Sequence, residues 1–229
     1  RFSSIRLIEM NVIGFGYKKH SGKDEAAKVL KQDLGFSQFA FADPIKEDIG
    51  KGVFGFTDEQ CDGDKKTEVD PFWGVSPSRI FQVVGTELFR ERLPELVDSI
   101  GRDFWVRAMS RSIRQSDAEN IVISDVRFPN EAEMVKEEFD GTLCRIEPPL
   151  DRRLKWGDAS DRRDDDHPSE RALDGYDGWD VTVRNTGTLS QFHNSVRVVA
   201  QTIMSDSLLL RPELIPSFDV QDNSNIFVH

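Results

Sequence analysis

Cysteine is scarce: the 229 residues hold two, Cys61 and Cys144, with no paired spacing. That argues against a disulfide framework or a cysteine zinc site and suits a reducing cytosol. Histidine is nearly as rare, and its few positions show no metal-ligand spacing. No apolar run approaches the length needed to span a bilayer, and no signal-peptide pattern is present. Cations are outnumbered, with Lys+Arg 30 against Asp+Glu 41 and a formal net charge of −11. Such a chain is a poor match for a nucleic-acid polymer, although a local arginine cluster can still bind a small anion. No internal repeat is visible. The length suits one large core, or one α/β domain with an insertion.

What is present begins at Gly14–Asp24, GFGYKKHSGKD. An apolar run, Met10–Ile13, reads as a short buried strand before it. Glu25–Leu34 reads as an amphipathic helix after it, with Ala26, Ala27, Val29, Leu30 and Leu34 facing inward. Strand, glycine-rich turn, Gly-Lys and helix form the context of a phosphate-binding loop. Backbone N–H groups of Ser21, Gly22 and Lys23, a helix N-terminus and the Lys23 charge would all face one anion. The usual spacing puts four residues between the first glycine and Gly-Lys. That place holds Tyr17, and the nearest glycine, Gly16, lies one residue further back. The position that normally carries a magnesium-binding Ser or Thr holds Asp24, which would repel phosphate unless a metal lay between them.

Further along, Phe36–Ala42 reads as a second strand, and Asp43-Pro44 starts a helix that continues through Ile45–Val53. Residues 56–76 read as a loop, an insertion or a small lid. Ser76-Pro77 opens a helix to about Arg92, with Ile80, Phe81, Val84 and Leu88 as its apolar stripe. Arg79, Gln82 and Thr86 share the opposite face. Gly85 in mid-helix costs about 1 kcal/mol relative to Ala, which close approach of a ligand or another backbone would explain. Asp103–Ile113 is amphipathic, and its Trp105 fits either core or a platform for stacking a base. Asn120–Ser124, NIVIS, fits a strand buried on both faces in a parallel sheet. It ends in Asp125, so Asp125, Arg127, Asn130 and Glu131 cluster in one strand-to-helix turn on the rim where such sheets bind ligands. Gly141–Glu147 and Asp180–Arg184 are further strands, and Thr188–Ile203 is a last helix. Residues 151–168 are densely charged; Arg152, Arg153, Arg162 and Arg163 there suit either a lid closing over phosphates or a solvated surface. Residues 205–229 read as a C-terminal tail.

Ser21-Gly-Lys-Asp24, Phe41-Ala-Asp-Pro-Ile-Lys46, Gln82-Val-Val-Gly-Thr-Glu87 and Ser124-Asp-Val-Arg-Phe-Pro-Asn-Glu131 together resemble the phage deoxynucleoside monophosphate kinases. His167-Pro-Ser-Glu170 and Val183–Leu189 are similar to later segments of that family. The resemblance spans roughly Ile13 to Ala200. It implies one P-loop kinase domain over residues 1–229. The fold expected is a three-layer α/β sandwich with a five-stranded parallel sheet of order 2-3-1-4-5, helices on both faces and a lid segment. Gly-Lys-Asp is the family's form of the loop, whereas Glu25 departs from a position where Thr often stands.

The resemblance further implies transfer of the ATP γ-phosphoryl to a deoxynucleoside monophosphate, in support of DNA synthesis. ATP would bind at Gly16, Ser21, Gly22, Lys23 and Asp24, with Mg2+ held by Asp24 and Asp125. Lys23, Asp24, Asp125 and Arg127 would carry the chemistry. Arg79 and Arg127 would grip the acceptor phosphate; Gln82, Gly85, Thr86, Trp105, Asn130 and Glu131 would line the acceptor site. The partners expected are these small molecules, with no nucleic-acid polymer and no membrane, in the cytoplasm (the host's, for a phage-encoded chain). A homodimer is left open. Two alternatives stand beside this reading: a dephospho-coenzyme A kinase-like enzyme on the same fold, and a nucleotide-binding regulatory module without turnover.

Overall fold

Val12, Ile13 and Phe15 are buried and alternate with nothing polar, as a strand covered on both faces requires. They lie in β1 (Asn11–Gly16), the middle strand of a sheet in the computed structural model, which describes residues 10–148, 168–208 and 226–228. Two compact units are present. The first takes in the chain up to Phe39 and from Ser116 onward, and the second is Ala40–Gln115.

The first unit holds the sheet, in the order β2-β3-β1-β4-β5-β6. Its strands are β2 (Ser37–Phe39), β3 (Asn120–Val126), β4 (Thr142–Glu147), β5 (Val181–Arg184) and β6 (Ile226–Val228). β2, β3, β1, β4 and β5 run parallel, in the order the resemblance implies. β6 adds an antiparallel edge strand next to β5, inside a stretch that reads as tail because three residues are too few to show a period. α1 (Lys23–Leu34) follows β1, and α5 (Leu189–Leu208) follows β5. Ala26, Ala27 and Leu30 of α1 meet Phe192, Val196 and Ala200 of α5 in one apolar cluster with Ile13 and Phe15. Burying these side chains contributes roughly 1.5–3 kcal/mol for each large one, which fixes the start of α1 against the end of β1. α4 (Pro129–Glu133) leaves β3 after a short turn.

Between Gly14 and Gly16 the β1–β3 register slips: Gly14 pairs with Ile123 but Gly16 with Val126. Phe15 is therefore opposed by two residues, Ser124 and Asp125. Such a bulge re-aims side chains at the end of a strand, and here it occurs at Asp125.

The second unit is helical. Residues 56–76 contain a short helix, Asp58–Cys61, closed by a Thr57–Gln60 capping box, and a bridge between Asp70 and Val75. Ser76 caps α2 (Pro77–Gln82), accepting from Arg79 N at 3.4 Å. The helix then widens to i→i+5 pairing over Val83–Arg92. An i→i+5 segment takes a little over four residues per turn, so Gln82 and Thr86 still lie on one side of it. α3 (Phe104–Gln115) completes the unit. Residues 151–167, with Arg152, Arg153, Arg162 and Arg163, lie outside the described residues.

Candidate active site

Residues 17–22 form the turn between β1 and α1. Gly16 does not have positive φ; its role is packing, since a Cβ there would lie 2.5 Å from Cη2 of Trp179. Tyr17 has φ +103°, His20 +56° and Gly22 +108°. Tyr17 thus takes a backbone conformation that favours glycine, at the place where the usual loop has its first glycine. A non-glycine residue held there costs of order 1–3 kcal/mol. The Tyr17 ring offsets part of this by lying under the Arg145 guanidinium, 4.1 Å from Cζ to the ring centroid. The register of the loop is therefore the ordinary one, with Tyr17 in the first position.

Gly22 caps α1 with no side-chain hydrogen bond, so the first N–H groups of the helix keep the character of an anion site. A Cβ on Gly22 would meet Asn185 Nδ2 at 2.7 Å, and the same Nδ2 donates to the Ser21 carbonyl at 3.1 Å. Asn185, just past β5, pins the loop from 164 residues away; its sequence neighbours gave no sign of this. Ser21 is fully buried.

Lys23 is buried too, and its Nζ donates to the Lys18 carbonyl and, at 3.3 Å, to Ser21 Oγ. Its pKa is lowered from 10.5 to about 7, by burial first and by the Arg127 charge next, against the opposing pull of Asp24, Glu170 and Asp125. One ammonium thus senses Asp24 from α1, Asp125 and Arg127 from the end of β3, and Glu170 from the short helix Pro168–Arg171. The first three are sequence-predicted site residues; Glu170 was given no role.

Arg127 pairs through Nη1 with Glu170 Oε1. Its backbone N donates to Glu131 Oε2 at 2.7 Å, and Phe128 N to the same oxygen at 3.1 Å. Glu131, 1% exposed, therefore secures the start of α4 through one oxygen of its carboxylate. Asn130 lies in the same turn and is half-buried.

In the second unit Arg79 Nη1 bonds Glu87 Oε1 at 2.8 Å, with both side chains half exposed. Gln82 and Thr86 are partly buried. Trp105 is 5% exposed and packs on Phe89 and Phe104. Its Nε1 donates to the Gly85 carbonyl at 2.8 Å. Its ring lies among the buried side chains of this unit. Gly85 answers to packing as well, since a Cβ there would stand 2.9 Å from Ile45 Cδ1.

A glycine-capped helix following a central parallel strand, a buried lysine and an acid at the neighbouring strand's end define a P-loop kinase. A family model described as deoxynucleotide monophosphate kinase matches residues 59–196. The chain is 35% identical over 194 residues to a protein of Acanthamoeba polyphaga mimivirus named as a deoxynucleotide monophosphate kinase, covering 82% of this chain and 94% of that one. It is 34% identical over 103 residues to the deoxynucleoside-5'-monophosphate kinase of Escherichia phage T5, covering 43% of this chain and 35% of that one. A solved shikimate kinase from Acinetobacter baumannii, in complex with shikimate, is similar at a TM-score of 0.48 and 12% identity, over 87% of this chain and 96% of that one. The chain belongs to the deoxynucleotide monophosphate kinase family. It is a phosphotransferase acting on nucleotides, which sets aside the dephospho-coenzyme A and non-catalytic readings.

The depressed Lys23 pKa has a measurable consequence. Between about pH 7 and 10.5 the unfolded chain keeps this proton and the ligand-free fold does not, so stability rises with pH across that window. Below about 7 both states are protonated and the burial cost is fully present. A phosphate beside the ammonium favours its charged form, so binding at about pH 8 should take up most of a proton. Calorimetry in buffers of different ionisation enthalpy should show this uptake for the protein and lose it for Lys23→Met. Uptake of the same size in both would remove Lys23 from the phosphate site.

Proposed function

We propose that ATP is the donor, that its phosphates lie on the backbone of Ser21, Gly22 and Lys23, and that Arg127 grips the acceptor phosphate. What supports this best is the buried Lys23 ammonium behind a glycine-capped helix, near enough to Asp24, Asp125 and Arg127 for their charges to shift its proton affinity. An acceptor phosphate oxygen forms a bond to the γ-phosphorus while the bond from that phosphorus to the β,γ-bridging oxygen breaks, giving a deoxynucleoside diphosphate and ADP. The transferring group carries its charge on its outer oxygens, so positioning and neutralisation are most of the work. Lys23 supplies a cation that burial keeps free of water. Arg127 supplies a planar fork that matches a phosphate.

Magnesium fits the same residues. It binds through one or two carboxylates plus substrate phosphates; Asp24, exposed at the start of α1, and Asp125, at the bulged end of β3, are carboxylates of that kind. Bound there, the ion would neutralise phosphate charge. Asp24→Ala is then expected to lose about 10-fold or more in activity and to recover part of it at raised Mg2+ or Mn2+, whereas Asp24→Ser stays active because a hydroxyl serves the metal in ordinary loops. An Asp24→Ala enzyme with unchanged metal dependence would place Asp24 away from the ion.

Arg79, Gln82 and Thr86 are proposed as acceptor contacts on the resemblance alone. No helix among the described residues is long and apolar enough to cross a membrane, and the proposed place of action is the cytoplasm that supplies both nucleotides. A coupled ADP-release assay across the deoxynucleoside monophosphates, with ATP and Mg2+, tests the whole reading. Lack of ADP formation with every monophosphate would defeat it.

A further inference from the structure

Glu170 makes contacts that an ordinary surface acid would not. Its Oε1 accepts from Arg127 Nη1, and its Oε2 accepts from the Lys19 backbone N–H at 2.9 Å. Its own carbonyl accepts from Lys18 Nζ at 2.7 Å, and Lys18 also pairs with Asp174. The Glu170 side chain is 11% exposed, less than the 25% of Arg127. One carboxylate thus joins the turn after β1 to the residue after β3, using a different oxygen for each.

We propose that Glu170 is a positioning residue for phosphoryl transfer, holding the Arg127 guanidinium and the phosphate loop in one fixed relation. The proposal rests on the reading of Arg127 as the acceptor-phosphate contact. The chemistry requires two phosphates to meet in line, and small misplacements are costly in rate. An arginine side chain left to itself samples many rotamers. Glu170 restricts Arg127 through Nη1 alone, and a guanidinium has five N–H donors, so the fork still has donors for a phosphate. The competing explanation is a pair that merely stabilises the fold.

Two substitutions separate these. Glu170→Gln keeps the shape, but one end of its amide must point N–H groups at a donor, so only one of Arg127 and Lys19 N–H stays satisfied. Glu170→Asp keeps the charge but is a methylene too short to reach both. Kinetics with ATP and a deoxynucleoside monophosphate, and melting, are measured for both variants, for Arg127→Ala and for Arg127→Ala/Glu170→Gln.

Glu170→Gln is expected to lower kcat/KM for the monophosphate by about 10–100-fold with a small change in melting, and Glu170→Asp by less. In the Arg127→Ala background the added loss on the acceptor should vanish, the signature of two groups acting as a unit. KM for ATP should stay near its Arg127→Ala value there, because the glutamine oxygen is then free to accept from Lys19 N–H. Near-normal kinetics in both Glu170 variants overturns the proposal, as does a loss that simply adds to that of Arg127→Ala, or one that tracks melting and disappears at low temperature. If Arg127→Ala itself leaves acceptor kinetics unchanged, the acceptor-site reading has failed and the proposal falls with it. If Arg127→Ala is impaired and the Glu170 variants are not, only the proposal falls.

Discussion

Lys23→Met is expected to abolish turnover while leaving the protein at least as stable as before. The ammonium is nearly inaccessible, and burial, reinforced by Arg127, disfavours its charged form. A methionine of similar length fills the space without that cost. At pH 6, where the buried lysine is charged, melting should therefore rise by several degrees. The gain should shrink toward pH 9, where the folded protein has already released the proton. Catalysis should move the other way. A charge contact made mainly as the phosphoryl group leaves ATP contributes to kcat, and its removal should cost about 10²-fold or more. Melting curves at the two pH values and a coupled assay read both effects on one preparation. Near-normal turnover by a well-folded Lys23→Met protein would sink the assignment of the loop, and a stability trade of the opposite sign would sink the electrostatic account of Lys23.

Arg127→Lys is expected to cost about 10–100-fold in kcat/KM for the monophosphate, with ATP affinity little changed. Lysine keeps the positive charge and so keeps attraction to Glu170, which protects the fold. It lacks the planar fork that meets two phosphate oxygens together. Retention of charge thus separates geometry from simple electrostatics. ATP affinity from equilibrium binding, acceptor kinetics and melting decide the matter together. Equal losses for both nucleotides in a destabilised protein would assign Arg127 to the architecture of the first unit rather than to the acceptor.

The parts legible in the sequence were those written locally. β1, the turn and α1 follow from an apolar run, Gly-Lys and a 3.6-residue period. NIVIS announces a doubly covered strand, and Asp125 at its end is placed by that fact alone. The contacts that complete the site are not local. Glu170 reaches Arg127 across 43 residues and Asn185 reaches Ser21 across 164; no periodicity links such pairs. Glu131 illustrates a different limit. A carboxylate next to a strand end reads as a ligand contact from sequence, and the bonds it accepts from Arg127 N and Phe128 N come only with the structure. From sequence Trp105 suits either core or a platform for a base, and Gly85 close approach of either a ligand or another backbone. The structure explains both by their neighbours, Phe89 and Phe104 for the one and Ile45 for the other. The widening of the helix after Gln82 left no trace in composition at all.

The tyrosine at position 17 bears on how such loops are recognised. A signature that demands glycine in the first place passes over this chain, although the backbone there turns as a glycine would. In this chain that place is filled by a torsion angle, φ +103°, without the letter. Here a bulky residue meets the same requirement with its ring braced by Arg145, a residue of another strand. The loop's first place in this chain is thus legible only together with β4, where the cation that braces it stands.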